Sequence, residues 1–273
     1  MWRKTAQILF AVVIILFLNG WNPLQASPQA AENQQDAVPL TLGLSAKEPT
    51  LSSPAFKKDL PADYTMHDYL VYVLADVEAF WSPIMVKDGY AKPSVTYSFP
   101  ALGEPVQTEC VIETPINPAQ AFYCGYDDKI VMTQLMAMQL LEGTYKINVE
   151  PPSKYKAGDF SVAFVLAHEY AHNLQTELGW LPVTGDEAPK ATSRSIELNA
   201  DCMTGVWANS VNARGLLDTT DIQEVKRTLA DIGQDPTAPN PTHGTPKERT
   251  DAFLLGYDSG KAASCEPYLT TPY

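Results

Sequence analysis

The sequence predicts an α+β fold, mostly helical, with a small irregular sheet in its first half. Three observations carry this. Apolar residues recur at three- and four-residue steps over long stretches, which is the period of helices buried on one face. Short strand-like segments are confined to the region between Val95 and Met132. Finally, 45% of the 273 residues are hydrophobic and 19% charged, ample material for one core and too apolar for a disordered chain. No internal repeat is evident, and a single domain over residues 63–273 is the economical organisation.

In chain order, the first 26 residues have the layout of an export signal. Arg3 and Lys4 form a short basic start, Ile8 to Leu18 contains no polar residue, and Gly20, Asn22, Pro23 and Ala26 lead to a cleavable end. The apolar run is short for a membrane span. Leu24 is an imperfect cleavage-site residue, so an uncleaved membrane anchor is the alternative. Cleavage would remove two positive and no negative charges, taking the formal net charge from −13 to −15. Such an acidic chain repels phosphate backbones and is not expected to bind nucleic acid. The sequence predicts a secreted or cell-envelope protein and is silent on oligomeric state.

Residues 27–62, with Pro, Ala, Gln and Ser and no period, read as a flexible linker. Leu70, Val73, Leu74, Val77 and Phe80 predict an amphipathic helix from Met66 to about Trp81. Segments such as Val95–Phe99 and Lys129–Met132, separated by turn residues, predict the sheet, and Met132–Leu141 reads as helical. Asp159 is expected to cap a helix from Phe160 to about Leu178, with Gly179 ending it. Further helices are expected from about Ser195 to Asn212 and from Asp221 to Ile232. A last one starts at Thr245-Pro246-Lys247-Glu248, which has the capping-box pair and a proline at the first helical position.

The chemistry lies in His168-Glu169-Tyr170-Ala171-His172. Residues four apart on a helix stand one turn above each other, so both imidazoles can face one ion, with Glu169 turned about 100° to its side, where a base for a metal-activated water belongs. A catalytic zinc needs a third protein ligand. A third His after the helix is excluded, because the required positions hold Gln175 and Leu178. Glu177 is rotated off the ligand face. Glu197 remains, on the next helix, with Asp201 four residues on and on the same face. One carboxylate of that pair can bind the ion while Asp201 accepts the proton on the far nitrogen of a ligand histidine. Their apolar flanks, Ile196, Leu198, Met203, Val206 and Trp207, argue against a solvated helix face. His243, before a capped helix and beside Gly244, is the candidate donor to a developing oxyanion, although a loop histidine bonded to backbone fits its setting equally well. Tyr123 and Tyr170 are weaker candidates, and His67 reads as a surface residue.

Four cysteines suit an oxidising compartment and allow three pairings among which the sequence does not choose. The pairing favoured is Cys110 with Cys124 and Cys202 with Cys265, the first closing a short loop worth about 3 kcal/mol in the chain-entropy account.

Ala167 through Gln175, Glu197 through Cys202 and Gly205-Val206-Trp207-Ala208 resemble a bacterial family of neutral zinc metallopeptidases. The likeness continues in Phe122-Tyr123-Cys124, Gly158-Asp159-Phe160, His243-Gly244-Thr245, Gly256-Tyr257 and Cys265, so it covers about residues 75 to 268. The resemblance implies a zinc-dependent peptidase with a zincin-like core, in which the His-Glu helix is followed by a Glu-bearing helix as in thermolysin-like enzymes. It implies Zn2+ held by His168, His172 and Glu197, with Glu169 as catalytic acid and base, acting on protein or peptide substrates. It is compatible with the favoured disulfides. Ala171 and Asn173 depart from the family's usual Gly and His. Neither is a ligand position, so these departures bear on substrate preference. The competing class is a zinc-containing binding or adaptor protein of the envelope without turnover. Retention of Glu169 argues against it, since a structural zinc site has no use for an adjacent base and is closed by four protein ligands.

Overall fold

The computed structural model describes residues 38–39, 64–106, 108–110, 119–145, 157–182, 189–235, 237 and 242–270. The expected signal at 1–26 lies outside the described residues, as does the linker at 27–62 apart from Val38–Pro39. Those two residues form strand β1, which pairs antiparallel with β2 (Thr96–Ser98). Strand β2 runs parallel to β4 (Lys129–Met132), and β3 (Ala121–Cys124) pairs antiparallel with β4, giving the order β1-β2-β4-β3. This small mixed sheet sits among α1 (Met66–Lys87), α2 (Gln134–Glu142), α3 (Asp159–Glu177), α4 (Ser193–Ala213), α5 (Thr219–Ile232), α6 (Pro246–Ser259) and the short α7 (Pro267–Thr270). The result is the mostly helical, zincin-like α+β fold that the sequence predicts.

Helix α3 is the hub. Every residue from Phe160 to Gln175 is buried, as expected of a helix packed on all sides. It touches α1, α2, α4, α5 and the edge strand β3. Its start differs from expectation: Gly158, not Asp159, is the N-cap, and Asp159 occupies the first turn. The physical reason is a distant carboxylate. Glu224 of α5 accepts from the Phe160 N–H at 2.8 Å and takes over the capping role. A Cβ at Gly158 would fall 2.0 Å from the Glu224 carboxylate, so a larger residue there would have to push the capping carboxylate aside.

The other boundaries follow local chemistry. Helix α1 continues past Trp81 through Pro83 to Lys87. Proline lacks the N–H that would reach Ala79, and the helix bridges that single lost bond. Met132 is the last residue of β4, and Thr133 caps α2 by accepting from the Met136 N–H. Helix α5 begins at Thr219, two residues early, because Asp218 and Asp221 form a capping box. Thr245, Pro246 and Glu248 start α6 as expected.

Among the described residues, helices α4 and α6 share the most extensive helix contact. Two glycines permit it. A Cβ on Gly256 would lie 1.9 Å from the Cys202 carbonyl oxygen, and one on Gly205 would lie 2.1 Å from that of Phe253. Because the obstacles are backbone atoms, Gly256→Ala must push the helices apart. Denaturant unfolding is expected to show a loss of about 1–3 kcal/mol, the usual cost of overpacking. Disulfides join Cys110 to Cys124 and Cys202 to Cys265, the favoured pairing. The second ties α4 to the segment that follows α6.

Candidate metal centre

The one-turn spacing on α3 brings the His168 and His172 rings edge to face, with Nε2 atoms 3.2 Å apart. Helix α4 crosses α3 and presents Glu197 to both. Its Oε2 lies 3.2 Å from His168 Nε2, and its Oε1 lies 3.7 Å from His172 Nε2. All three side chains are buried.

The far nitrogen of each ring is spoken for. His168 Nδ1 faces Asp201 Oδ1 at 2.9 Å, and His172 Nδ1 lies 2.8 Å from Gln175 Oε1. With protons on both Nδ1 atoms, both Nε2 lone pairs and a carboxylate converge on one point. Such a set is stable only around a cation or a shared proton. Ligands about 2.0–2.1 Å from a tetrahedral zinc stand roughly 3.3 Å from each other. The two Nε2 atoms, 3.2 Å apart, and Glu197 Oε2, 3.2 Å from His168, match that spacing, while the other carboxylate oxygen lies 3.7 Å from His172. The residues therefore fit a zinc ion of the two-imidazole, one-carboxylate kind.

The charges around the site favour a positive charge where these atoms meet. Burial opposes a charged His168 ring, but Asp201 and Glu197 outweigh it and push its pKa up to about 10. Burial takes His172 down to about 4. Burial also opposes the Glu197 carboxylate, yet His243, His168 and His172 hold it well below the usual carboxylate range. Asp201 is likewise held low against its burial, chiefly by Arg249. Glu169 is the exception, raised by burial to about 7. Its carboxylate accepts from the Tyr123 backbone N–H, while Oε1 has no hydrogen-bond partner among the described residues. A buried carboxylate with one idle oxygen beside a cation site can take up a proton there.

His243 stands at the rim, its Nε2 3.9 Å from Glu197 Oε1 and its side chain partly exposed. Thr242 and Gln234 hold it, the latter accepting from its backbone N–H. The structure thus brings His168, Glu169, His172, Glu197, Asp201 and His243 into one cluster. Tyr123 instead donates its hydroxyl to Asp128, which also accepts from Asn173. His67 is exposed, with its ring against Phe99.

Three residues escaped the sequence reading. Arg249 of α6 is buried and binds Asp201 through two bonds, Nε–Oδ2 at 2.7 Å and Nη2–Oδ1 at 2.8 Å. Gln175 and Asn199 form a buried amide relay behind His172. Gln175 and Asn199 sit beside the ligands in sequence, but nothing in their spacing reveals which way an amide turns. Arg249 lies 48 residues from its partner, out of reach of any local pattern.

An His-Glu-x-x-His helix crossed by a second helix that supplies a glutamate defines a zinc-metallopeptidase type of centre. The family described as "Putative neutral zinc metallopeptidase" matches residues 35–268, and the chain belongs to it. Escherichia coli (strain K12) YpfJ is 26% identical over 246 residues, covering 83% of this chain and 79% of that protein. Mycobacterium tuberculosis (strain ATCC 25618 / H37Rv) Rv2575 is 28% identical over 214 residues, covering 70% and 67%. Both are described as uncharacterized. No solved structure matches the chain.

Proposed function

We propose that the protein is an exported zinc peptidase that hydrolyses peptide bonds of protein or peptide substrates in the cell envelope or outside it. Attachment to a membrane would follow only if the N-terminal segment is retained. His168, His172 and Glu197 would hold the zinc, with Asp201 fixing the His168 ring. Zinc bound there supplies a Lewis acid that polarises a peptide carbonyl and acidifies water.

The chain's own residues do the rest. Glu169 is carried on the ligand helix, held at one oxygen by the Tyr123 N–H, with its Oε1 idle. That carboxylate accepts the proton of the attacking water and returns it to the departing amine. A pKa raised to about 7 suits both halves of the exchange near neutrality, and a divalent cation shifts it toward the ionised, proton-accepting form. His243, partly exposed and with its Nε2 3.9 Å from Glu197 Oε1, would donate to the oxyanion of the tetrahedral intermediate.

The observation that carries this reading is the convergence of three ligand atoms with an under-bonded carboxylate next to them. Purified protein is expected to contain one zinc per chain and to hydrolyse casein in a chelator-sensitive manner. Glu197→Ala should release the zinc and end hydrolysis together. Parent protein without stoichiometric metal, or full activity in Glu197→Ala, would overturn it.

A further inference from the structure

Behind His172 runs a chain of hydrogen bonds whose direction is dictated from its far ends. Asn199 Nδ2 lies 2.9 Å from the Cys265 main-chain oxygen, which can only accept. Its Oδ1 must therefore face Gln175, and the Gln175 Nε2 is 2.8 Å from it. The same Nε2 is 2.8 Å from the Ile196 main-chain oxygen, a second acceptor that demands the same amide orientation. Gln175 Oε1 is thereby left to accept from His172 Nδ1 at 2.8 Å. Two backbone carbonyls thus place the proton of His172 on Nδ1 and keep the Nε2 lone pair aimed at Glu197 and His168.

The anchor is firm for a covalent reason. Asn199 and Cys202 are three residues apart on one face of α4, and the disulfide from Cys202 holds the Cys265 backbone against that face. His172, Gln175, Asn199, Cys202 and Cys265 are all buried, so water cannot easily take the place of a missing link. Gln175 itself lies one turn beyond His172 on α3, so its side chain returns to the ligand.

We propose that Gln175 and Asn199 are positioning residues acting in series: Asn199 orients Gln175, and Gln175 fixes the tautomer and angle of His172 for metal binding. The proposal rests on the zinc reading above.

The test is zinc affinity, measured by chelator competition on the whole exported-form protein, with the visible absorption of the Co2+-substituted form as a second readout. Gln175→Leu, similar in size but without an acceptor, should bind zinc about 10- to 100-fold more weakly and alter the Co2+ spectrum. Gln175→Glu keeps an acceptor for His172 and, buried between two acceptors, is expected to carry a proton on its other oxygen and donate to one of them, so it should recover most of that affinity. Asn199→Leu should weaken binding, and the Gln175→Leu/Asn199→Leu pair should be no weaker than Gln175→Leu alone, because the two act through one histidine. Parental affinity in Gln175→Leu, equal loss in Gln175→Glu, or multiplied losses in the pair would overturn the proposal while leaving the peptidase reading intact. Absence of zinc from the parent would overturn both. Should Gln175→Leu fail to fold, near-parental affinity of Gln175→Glu against weakened Asn199→Leu still decides.

Discussion

Glu169→Gln is expected to retain its zinc and lose about 10²- to 10⁴-fold in hydrolysis, the range that a positioned acid–base group contributes. The substitution preserves shape and the acceptor for the Tyr123 N–H, so nothing that holds the metal site is disturbed. What disappears is the ability to carry a proton from water to amine. The pH dependence gives an independent check. A base must be ionised to act, so kcat/KM of the parent should fall on the acid side as Glu169 protonates. Burial raises that group to about 7 without a cation, and the zinc charge moves the limb to lower pH. Zinc content and initial rates measured on one preparation separate the roles: parental turnover in Glu169→Gln removes Glu169 from the chemistry, whereas lost zinc makes it a structural residue.

How much of this centre is legible in sequence follows from how local each cause is. His168, Glu169 and His172 are set by one helix period, and Glu197 with Asp201 by another, so the residue types and spacings alone point to them. The capping box at Thr245 and Glu248 and the positive-φ stop at Gly179 are equally local and appear where expected. Non-local causes are silent. Glu224 displaces the α3 cap from 64 residues away. Arg249 reaches Asp201 only because Gly205 and Gly256 let two helices touch at backbone distance, and neither glycine differs in sequence from one that ends a helix. The Gln175–Asn199 relay depends on amide orientation, which is settled by carbonyls of Ile196 and Cys265 that no side-chain pattern records.

The same non-local contact supports the second large effect. Arg249→Met is expected to destabilise the metal-free protein by about 3–5 kcal/mol, the cost of breaking a buried ion pair, with His168 Nδ1 left as the remaining partner of Asp201. Asp201 and Arg249 are both essentially inaccessible, at 0% and 1% exposure, so water cannot solvate the stranded charge. The pH dependence of stability should weaken with it. In the parent, Asp201 is held below its ordinary value, chiefly by Arg249 and against its burial. The pair therefore contributes stability that is present above the unfolded pKa of about 3.9 and is lost as pH falls through the lower folded one. Without the guanidinium, His168 is left as the counterweight to the burial that favours protonated Asp201, so the carboxyl rises from its held-down value and mild acid should narrow the gap between variant and parent. Adding Asp201→Asn to Arg249→Met removes the stranded charge and should return much of the lost stability, because a buried pair costs more when broken than when replaced entirely. Zinc affinity should not return in that double variant, since a neutral amide is a poorer acceptor for His168 Nδ1 than a carboxylate. Stability and metal binding then part company. If denaturant unfolding finds Arg249→Met as stable as the parent, Asp201 is not the charge that Arg249 compensates.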